Sequence, residues 1–306
     1  MGIMKKKLRI AILSRGPGLY STRSLYTAAR ARGHRIWITD HMKCNLLVET
    51  GQTNILYYNN KFMQVDAIIP RIGASVTDHG AALIRQFEHK GIYTLLGSEA
   101  LVLARNKFSC LQKLAANGIG IPTTLLPATS DMAWHMVEKI KGPPYIIKLA
   151  KGTHGVGVLK ANTKGDAARL IDTFQQLKGM VMIQEYISES SGKDIRIIIV
   201  GGQVVASMER SALGGDFRSN LHLGGTSKKI DITEEEATVA IKSAQLMGLE
   251  VAGVDLLRSN RGPLVLEVNA SPGLEGIEKT TGVDISGKIL EHLENILEIR
   301  MQEKEV

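Results

Sequence analysis

Residues 251–273 read VAGVDLLRSNRGPLVLEVNASPG, and they set three oxygen-bearing side chains, Asp255, Glu267 and Asn269, inside segments otherwise rich in Val and Leu. The apolar runs 251–257 and 263–268 flank turn-forming residues at 259–262, so the stretch is expected to form a β-hairpin. Side chains alternate faces along a strand, which puts Glu267 and Asn269 on the same face. Asp255 joins them if it sits opposite Glu267, and that requires an odd number of loop residues. A three-residue loop of Asn260, Arg261 and Gly262, with Gly262 supplying the left-handed conformation, meets the condition. Two carboxylates and an amide oxygen converging in a half-buried site repel one another unless a cation lies between them. Hard oxygen donors of this kind suit Mg²⁺ or Mn²⁺, which keep waters and bridge to substrate phosphates. A single acidic residue near a strand end often just faces solvent. Three oxygen donors at this spacing, ahead of the rigid turn Ser271-Pro272-Gly273, favour the metal.

The chain has 306 residues, 44% of them hydrophobic, enough for a large core and for two or three domains. Apolar runs such as 195–200 are too short to span a bilayer, and the basic start at 1–7 leads into an apolar run of strand length only. A soluble cytoplasmic protein with no membrane partner is expected. Cys44 and Cys110 cannot build a disulfide framework and lack zinc-ligand spacing, so both are expected to be reduced and structural. A formal charge of +8 calls for an anionic partner. With few aromatics and no recognition-helix, zinc-finger or RNP signature, a dedicated reader of DNA or RNA is disfavoured. An acidic peptide, a nucleotide or an amino acid uses the same charge equally well.

Taken in order, 8–14 (LRIAILS) is an expected strand, followed by a turn at Gly16 to Gly18, a helix over 21–32 and a second strand over 36–39. A strand at 65–70 and a helix at 81–90 continue the alternation, so residues 1–97 are expected to form a doubly wound α/β domain. Gly16-x-Gly18 lacks the third glycine of a dinucleotide fingerprint. Loops after parallel strands lie at the sheet's carboxyl edge, which makes Arg15 and Arg71, with Ser14, candidate substrate contacts; a solvated rim is the alternative. A helical stretch over 98–117 carries Arg105, Asn106 and Lys107 and ends at Gly118 and Pro122.

Lys148 lies among apolar neighbours in an expected strand over 145–149, costly unless it meets an anion, so a phosphate role is favoured. The loop KGTHGVGV at 151–158 follows, with Gly152, Gly155 and Gly157. Such a loop lets backbone N–H groups approach phosphate and can close over a nucleotide, although it is no Walker A sequence. The strand 181–187 ends in Gln184-Glu185-Tyr186 and can present backbone groups to an adenine edge. Asp194 and Arg196 open a strand that pairs across Gly201-Gly202 with 203–207. Asp194 either accepts from a ribose hydroxyl or partners Arg196. The stretch ERSALGGDFRSNLHLGG at 209–225 is expected to be a long functional loop, whose Arg210 and Arg218 suit phosphate or carboxylate. Thr233 and Glu236 form a capping box for a helix over 233–248, and a last helix over 285–301 ends in a charged tail.

In their order, Lys148, the glycine loop, Gln184-Glu185-Tyr186, Asp194, residues 218–220 and the Asp255/Glu267/Asn269 set carry a likeness, most specifically in the strings DFRSNLHLGG, VAGVDLLR and RGPLVLEVNASPGLEGIEKTTG. The chain resembles the ATP-grasp superfamily and, within it, the RimK family of ribosomal-protein glutamate ligases, over residues 8 to about 297. The resemblance implies an α/β plus α+β fold: an N-terminal doubly wound pre-ATP-grasp domain (1–97) on the substrate side, then a two-subdomain ATP-grasp domain (111–294) with antiparallel sheets. The lid subdomain would span about 118–184 and the metal-binding subdomain about 185–294, with a charged tail at 295–306.

The cofactors implied are ATP and two Mg²⁺ or Mn²⁺. By motif match Lys148 would bind the phosphates, with Lys107, Gly152, Gly155 and Gly157 also on the nucleotide. Glu185 and Tyr186 would flank adenine, Asp194 would contact the nucleotide, and Arg218, Ser219 and Asn220 would line its phosphate end. Asp255, Glu267 and Asn269 would hold the metals, and Arg210 and Lys148 would act in catalysis. The implied reaction passes through an acyl phosphate, which L-glutamate attacks. Its carboxylate would be the C-terminus of a small-subunit ribosomal protein or other acidic peptide, handled by a homo-tetramer. His154 stands where glutamine is expected, and the basic residues 1–7 and the tail also depart from the pattern, which leaves the acceptor open. Two other readings compete. One is an ATP-grasp ligase acting on a small-molecule carboxylate, lysine-biosynthesis-like, coenzyme-glutamate or glutathione-like. The other is a non-catalytic nucleotide- or RNA-binding module, whose expected mark, a lost metal ligand, is missing here.

Overall fold

The structure, a computed structural model, describes residues 7–150, 157–176, 180–190, 192–213 and 224–305. The first part alternates as its apolar periodicity dictates: β1 (Arg9–Leu13), α1 (Tyr20–Ala31), β2 (Arg35–Thr39), β3 (Cys44–Glu49), β4 (Gln52–Tyr57), β5 (Asn60–Lys61), β6 (Ala67–Pro70), α2 (Thr77–His89) and β7 (Tyr93–Thr94). Strands β2-β1-β6-β7 form a parallel sheet in that order, with the chain leaving β1 in both directions. Helix α1 buries Thr22, Leu25 and Ala29, a stripe at helical spacing that lies against this sheet. The small antiparallel sheet β3-β4-β5 was not anticipated. Its β3–β4 turn relies on Gly51 at a φ of +82°, which other residues rarely adopt.

The expected single helix over 98–117 is two helices, α3 (Ser98–Arg105) and α4 (Lys107–Ala116). Asn106 leaves the helical conformation at φ −95° and ψ 99°, and its side chain accepts a hydrogen bond from the Ser109 N–H at 3.1 Å. It thereby ends one helix and caps the next.

The chain then builds β8 (Thr124–Leu125), α5 (Ser130–Met136), β9 (Tyr145–Leu149), β10 (Val158–Ala161), α6 (Lys164–Gln176) and β11 (Val181–Glu185). These strands form an antiparallel sheet, order β10-β9-β11-β8. On one face Tyr145, Ile147, Ala161, Val181 and Ile183 pack with Ala133, Val137, Ala167 and Ile171 from the helical side. Period-two alternation therefore sends Lys148, Met182 and Gln184 to the opposite face.

The last part contains β12 (Lys193–Val200), β13 (Gln203–Ser211), β14 (Thr226–Lys229), α7 (Glu234–Leu246), β15 (Val251–Ser259), β16 (Gly262–Asn269), α8 (Glu275–Thr281) and α9 (Ile285–Glu305). Its sheet is antiparallel, order β14-β13-β12-β15-β16. Ile195, Ile197, Ile199, Ala252, Val254 and Leu256 face Ala240 and Ala244 of α7 in one core. On the other face Ile198, Val200, Met208 and Val251 join β1, α1, α8 and α9 in a second core. The capping box forms: Thr233 accepts from the Glu236 N–H at 3.1 Å and Glu236 from the Thr233 N–H at 2.9 Å. Strand β13 runs to Ser211, so Arg210 belongs to a strand and not to the expected loop at 209–225. Helix α9 continues through the stretch expected to be a charged tail, because Leu297 is buried and Met301 packs on the same core. No helix among the described residues is long and apolar enough to cross a membrane.

Candidate active site

The β15–β16 hairpin pairs Asp255 with Glu267 and Gly253 with Asn269, so the three oxygen donors share a face. The route differs from the expected one. Ser259 pairs with Gly262, leaving a two-residue turn of Asn260 and Arg261, and the odd residue comes from a bulge, since Leu256 pairs with Val265 and Asp255 with Glu267. Leu266 is the extra residue, and it changes the register where the two carboxylates must meet. Gly262, at φ +87°, is the left-handed position that the sequence marks.

Across the sheet the acids are matched by arginines. Arg196 grips Asp255 with both arms, Nε to Oδ1 at 2.7 Å and Nη2 to Oδ2 at 2.6 Å. Arg210 donates to Asp194 through Nε at 2.7 Å and Nη2 at 2.5 Å, and reaches Asp255 Oδ2 at 3.0 Å. Asp194 is therefore partnered with Arg210, not with Arg196. Burial alone would push the Arg210 guanidinium down, but Asp255 and Asp194 beside it more than offset this and hold it above the usual arginine range. Asp255 is only 2% exposed and is enclosed with both arginines.

Glu267 accepts from Lys107 Nζ at 3.0 Å and from the Asn269 amide at 3.0 Å, with 31% of its side chain still open. Burial raises its carboxyl, yet Lys107, the Asn269 amide and Arg196 outweigh that and keep it well below the ordinary carboxylate range. Asn269 donates its N–H to Glu267, so its amide oxygen keeps its lone pairs for another ligand. Among the described residues no group of three His, Cys, Asp or Glu side chains could hold a metal. Two carboxylates and one amide oxygen on one face do suit a hard cation that takes its remaining ligands from phosphate and water, so the donor chemistry fits Mg²⁺ or Mn²⁺.

From the other sheet, Lys148 donates to Gln184 Oε1 at 2.6 Å, and Gln184 in turn donates to the Thr124 hydroxyl at 2.8 Å. Burial pushes the Lys148 ammonium down to about 8, with Glu267 opposing and Lys107 adding to the shift. The two sheets and the start of α4 thus bring Lys148, Glu267 and Lys107 within electrostatic reach. Glu185 is buried; its carboxylate accepts from the Thr123 N–H at 2.7 Å and from the Arg261 guanidinium at the hairpin tip. Burial raises that carboxyl, but the Thr123 N–H and Arg261 bring it below the ordinary range. The Glu185 side chain is thereby used within the protein, and its backbone N–H donates to the Thr123 carbonyl at 2.9 Å. Tyr186 has the Lys160 ammonium 4.2 Å from its ring centroid.

Gly157 adopts φ +77° and leads into β10. Gly152, Gly155, Arg218, Ser219 and Asn220 lie outside the described residues. Arg71 follows β6 and donates to the Pro272 carbonyl at 2.7 Å, which carries the carboxyl edge of the parallel sheet to the turn after Asn269. Arg15 is exposed and lies against Gly73. The sequence marks Gln184 only for its backbone and Arg261 only as a turn residue, whereas the structure uses both side chains. Gln184 carries a signal for this, a polar side chain inside an apolar strand.

The family described as RimK-like ATP-grasp domain matches residues 104–293, and that described as RimK PreATP-grasp domain matches residues 8–101. A protein of Maridesulfovibrio salexigens named "Probable alpha-L-glutamate ligase" is 47% identical over 287 residues, 94% of this chain and 95% of that protein. One of the same name from Picosynechococcus sp. is 49% identical over 288 residues, 94% of this chain and 95% of that protein. Among solved structures, the ATP-grasp ligase PsnB complexed with minimal precursor shares the fold at a TM-score of 0.73 and 20% identity, covering 94% of this chain and 98% of that chain.

Proposed function

The chain belongs to the RimK family of ATP-grasp ligases, and on that premise we propose that it joins the amine of L-glutamate to the C-terminal carboxylate of a small-subunit ribosomal protein, and to the glutamate chain growing there. The relatives named as glutamate ligases support the amino acid. The excess of cations suits a reaction in which acceptor, amino acid and nucleotide are all anionic. A ribosomal acceptor makes the reaction cytoplasmic, and the working unit is a homo-tetramer, which sedimentation of the purified chain tests.

The observation that carries the reading is the meeting of Lys107 and Lys148 with Glu267, whose partner across the hairpin is Asp255. ATP lies between the two sheets, its phosphates against Lys148 and Lys107 and its adenine at the backbone of Glu185 and Tyr186. Asp194 contacts the nucleotide, and Gly152, Gly155 and Gly157 with Arg218, Ser219 and Asn220 complete its cradle. Asp255, Glu267 and Asn269 would hold two Mg²⁺ or Mn²⁺, which would supply charge neutralisation at the phosphoryl oxygens.

A carboxylate is a poor acylating agent. The reaction therefore moves the γ-phosphoryl group to the acceptor carboxylate, and the glutamate amine displaces phosphate from the acyl phosphate. Lys148 and Arg210 stabilise the negative charge that develops, and the chain's remaining task is to position the reactants and keep water out. Incubation with ATP, Mg²⁺ and L-glutamate should add glutamyl mass steps to a ribosomal protein with a free C-terminus, read by mass spectrometry. Steps found only on a metabolite would transfer the function to a small-molecule ligase.

A further inference from the structure

We propose that Arg71 and Arg105, together with the Ser271 hydroxyl, form a carboxylate-binding subsite at the seam between the parallel sheet and the β15–β16 hairpin. Its ligand is named on the ligase reading above: a carboxylate of L-glutamate or of the acceptor's C-terminus.

Three independent parts of the chain converge there. Arg71 leaves the end of β6 and donates Nη2 to the Pro272 carbonyl at 2.7 Å. Arg105 ends α3 and donates Nη2 to the Ile72 carbonyl, the residue next to Arg71. Ser271 lies between Asn269 and the turn at Pro272. Arg105 Nε and Ser271 Oγ are both buried and have no hydrogen-bond partner among the described residues. A buried donor left unmade is costly, and here two of them belong to one small region.

Charge makes the same point. Enclosed arginines elsewhere meet carboxylates: Arg210 meets Asp194 and Asp255, and Arg196 meets Asp255. Among the described residues Arg71 and Arg105 bond only to backbone carbonyls, which satisfy N–H groups without cancelling charge. Burial pushes the Arg71 guanidinium down to about 10, and the neighbouring charge of Arg105 adds to it. Two like charges placed together in this way are stabilised by an anion, and the planar guanidinium fork matches a carboxylate. All three residues keep partial solvent exposure, so the region can be entered. Arg15 sits at its rim, its guanidinium 3.4 Å from where a Cβ on Gly73 would stand. The charge of Glu267 reaches Arg105, which places a carboxylate held here beside the metal-binding face.

The test uses the full chain, with glutarate, L-glutamate and L-glutamine as probes in calorimetry, followed by steady-state kinetics. The wild-type chain is expected to bind glutarate and L-glutamate and to discriminate against L-glutamine. Arg105→Gln and Arg71→Gln should weaken glutarate at least about tenfold and Ser271→Ala less, since charged hydrogen bonds are the stronger ones. Arg85→Gln, at an exposed arginine on α2, should change nothing. In turnover the KM of one carboxylate substrate should rise while the KM for ATP stays fixed, a split that general loss of structure would not produce. A rise confined to L-glutamate assigns the subsite to the amino acid, and one confined to the acceptor assigns it to the C-terminus.

Should Arg105→Gln fail to fold, Arg105→Lys retains the charge but loses the fork, and is expected to act in the same direction. Unchanged glutarate binding and unchanged KM values in Arg105→Lys and Ser271→Ala overturn the proposal. Failure of the ligase reading looks different: the wild-type chain would bind glutarate but add no glutamyl residue to any acceptor.

Discussion

Lys148 on the four-stranded antiparallel sheet and Arg210 on the five-stranded sheet are both cations set into strands, yet their surroundings treat charge in opposite ways. Lys148 is answered by a neutral amide, Gln184, and its ammonium is pushed down to about 8. Arg210 is answered by two carboxylates and is held above its usual range. One sheet leaves a positive charge in deficit, and the other closes its charges into the chain Asp194, Arg210, Asp255, Arg196. The first arrangement awaits an anion from outside. The second holds the fold together and holds the carboxylate pair in register.

The sharpest way to break this contrast is to remove each cation in turn. Arg210→Met removes one buried cation shared by Asp194 and Asp255, and should cost about 3–5 kcal/mol, read by chemical denaturation. A loss under about 1 kcal/mol would mean the acids do not need it. Lys148→Met should leave stability unchanged or raise it near neutral pH, because burial penalises the ammonium it removes; a loss of more than about 1 kcal/mol would count against the contrast. Its effect belongs to the nucleotide, where calorimetry should show ATP binding weakened by roughly ten- to a hundredfold.

The pH dependence sharpens the contrast further. Lys148 titrates near 8 in the folded chain against about 10.4 unfolded, so between these values the unfolded state binds more protons. Its penalty on stability is therefore fully present below about 8 and is relieved as pH rises through that window. Phosphates against the ammonium would restore the proton. ATP binding near pH 8.5 should thus take up a fraction of a proton, seen as a dependence of binding heat on buffer, and the uptake should disappear in Lys148→Met. The smallest effect is expected from Arg261→Ala, which frees the Glu185 carboxylate from the hairpin tip. With Arg261 half exposed, the loss should be about 1 kcal/mol or less, appearing as a few-fold rise in the KM for ATP.

Much of this was legible in the residues themselves. Alternation exposed β1, β6, β9 and the β15–β16 hairpin, and Thr233 and Glu236 announced the start of α7. The pairing of Asp255 with Glu267 was the condition for a shared face, and the hairpin meets it. The means was not legible, because a three-residue turn and a two-residue turn with a bulge at Leu266 give the same pairing, and Leu266 carries no mark of its own. The break at Asn106 was hidden because lysine and phenylalanine beyond it suit a helix as well as the residues before it. Arg196 and Arg210 could not be assigned to their acids, since cross-strand partners depend on a register that includes a second irregularity between Ile198 and Ile199. The convergence of Arg71, Arg105 and Ser271 lay further out of reach, because it joins segments that meet only once both domains have folded.

The core that seals β1 has a consequence for how the molecule comes into being. Leu8, Ile10 and Ile12 belong to the same apolar cluster as Leu274, Ile277, Ile289, Leu290 and Leu293, and Arg32 clasps Glu294 across that join. During synthesis, at roughly 5–20 residues per second, β1 must wait tens of seconds for the segment that covers it. The parallel sheet is thus made well before its core can close.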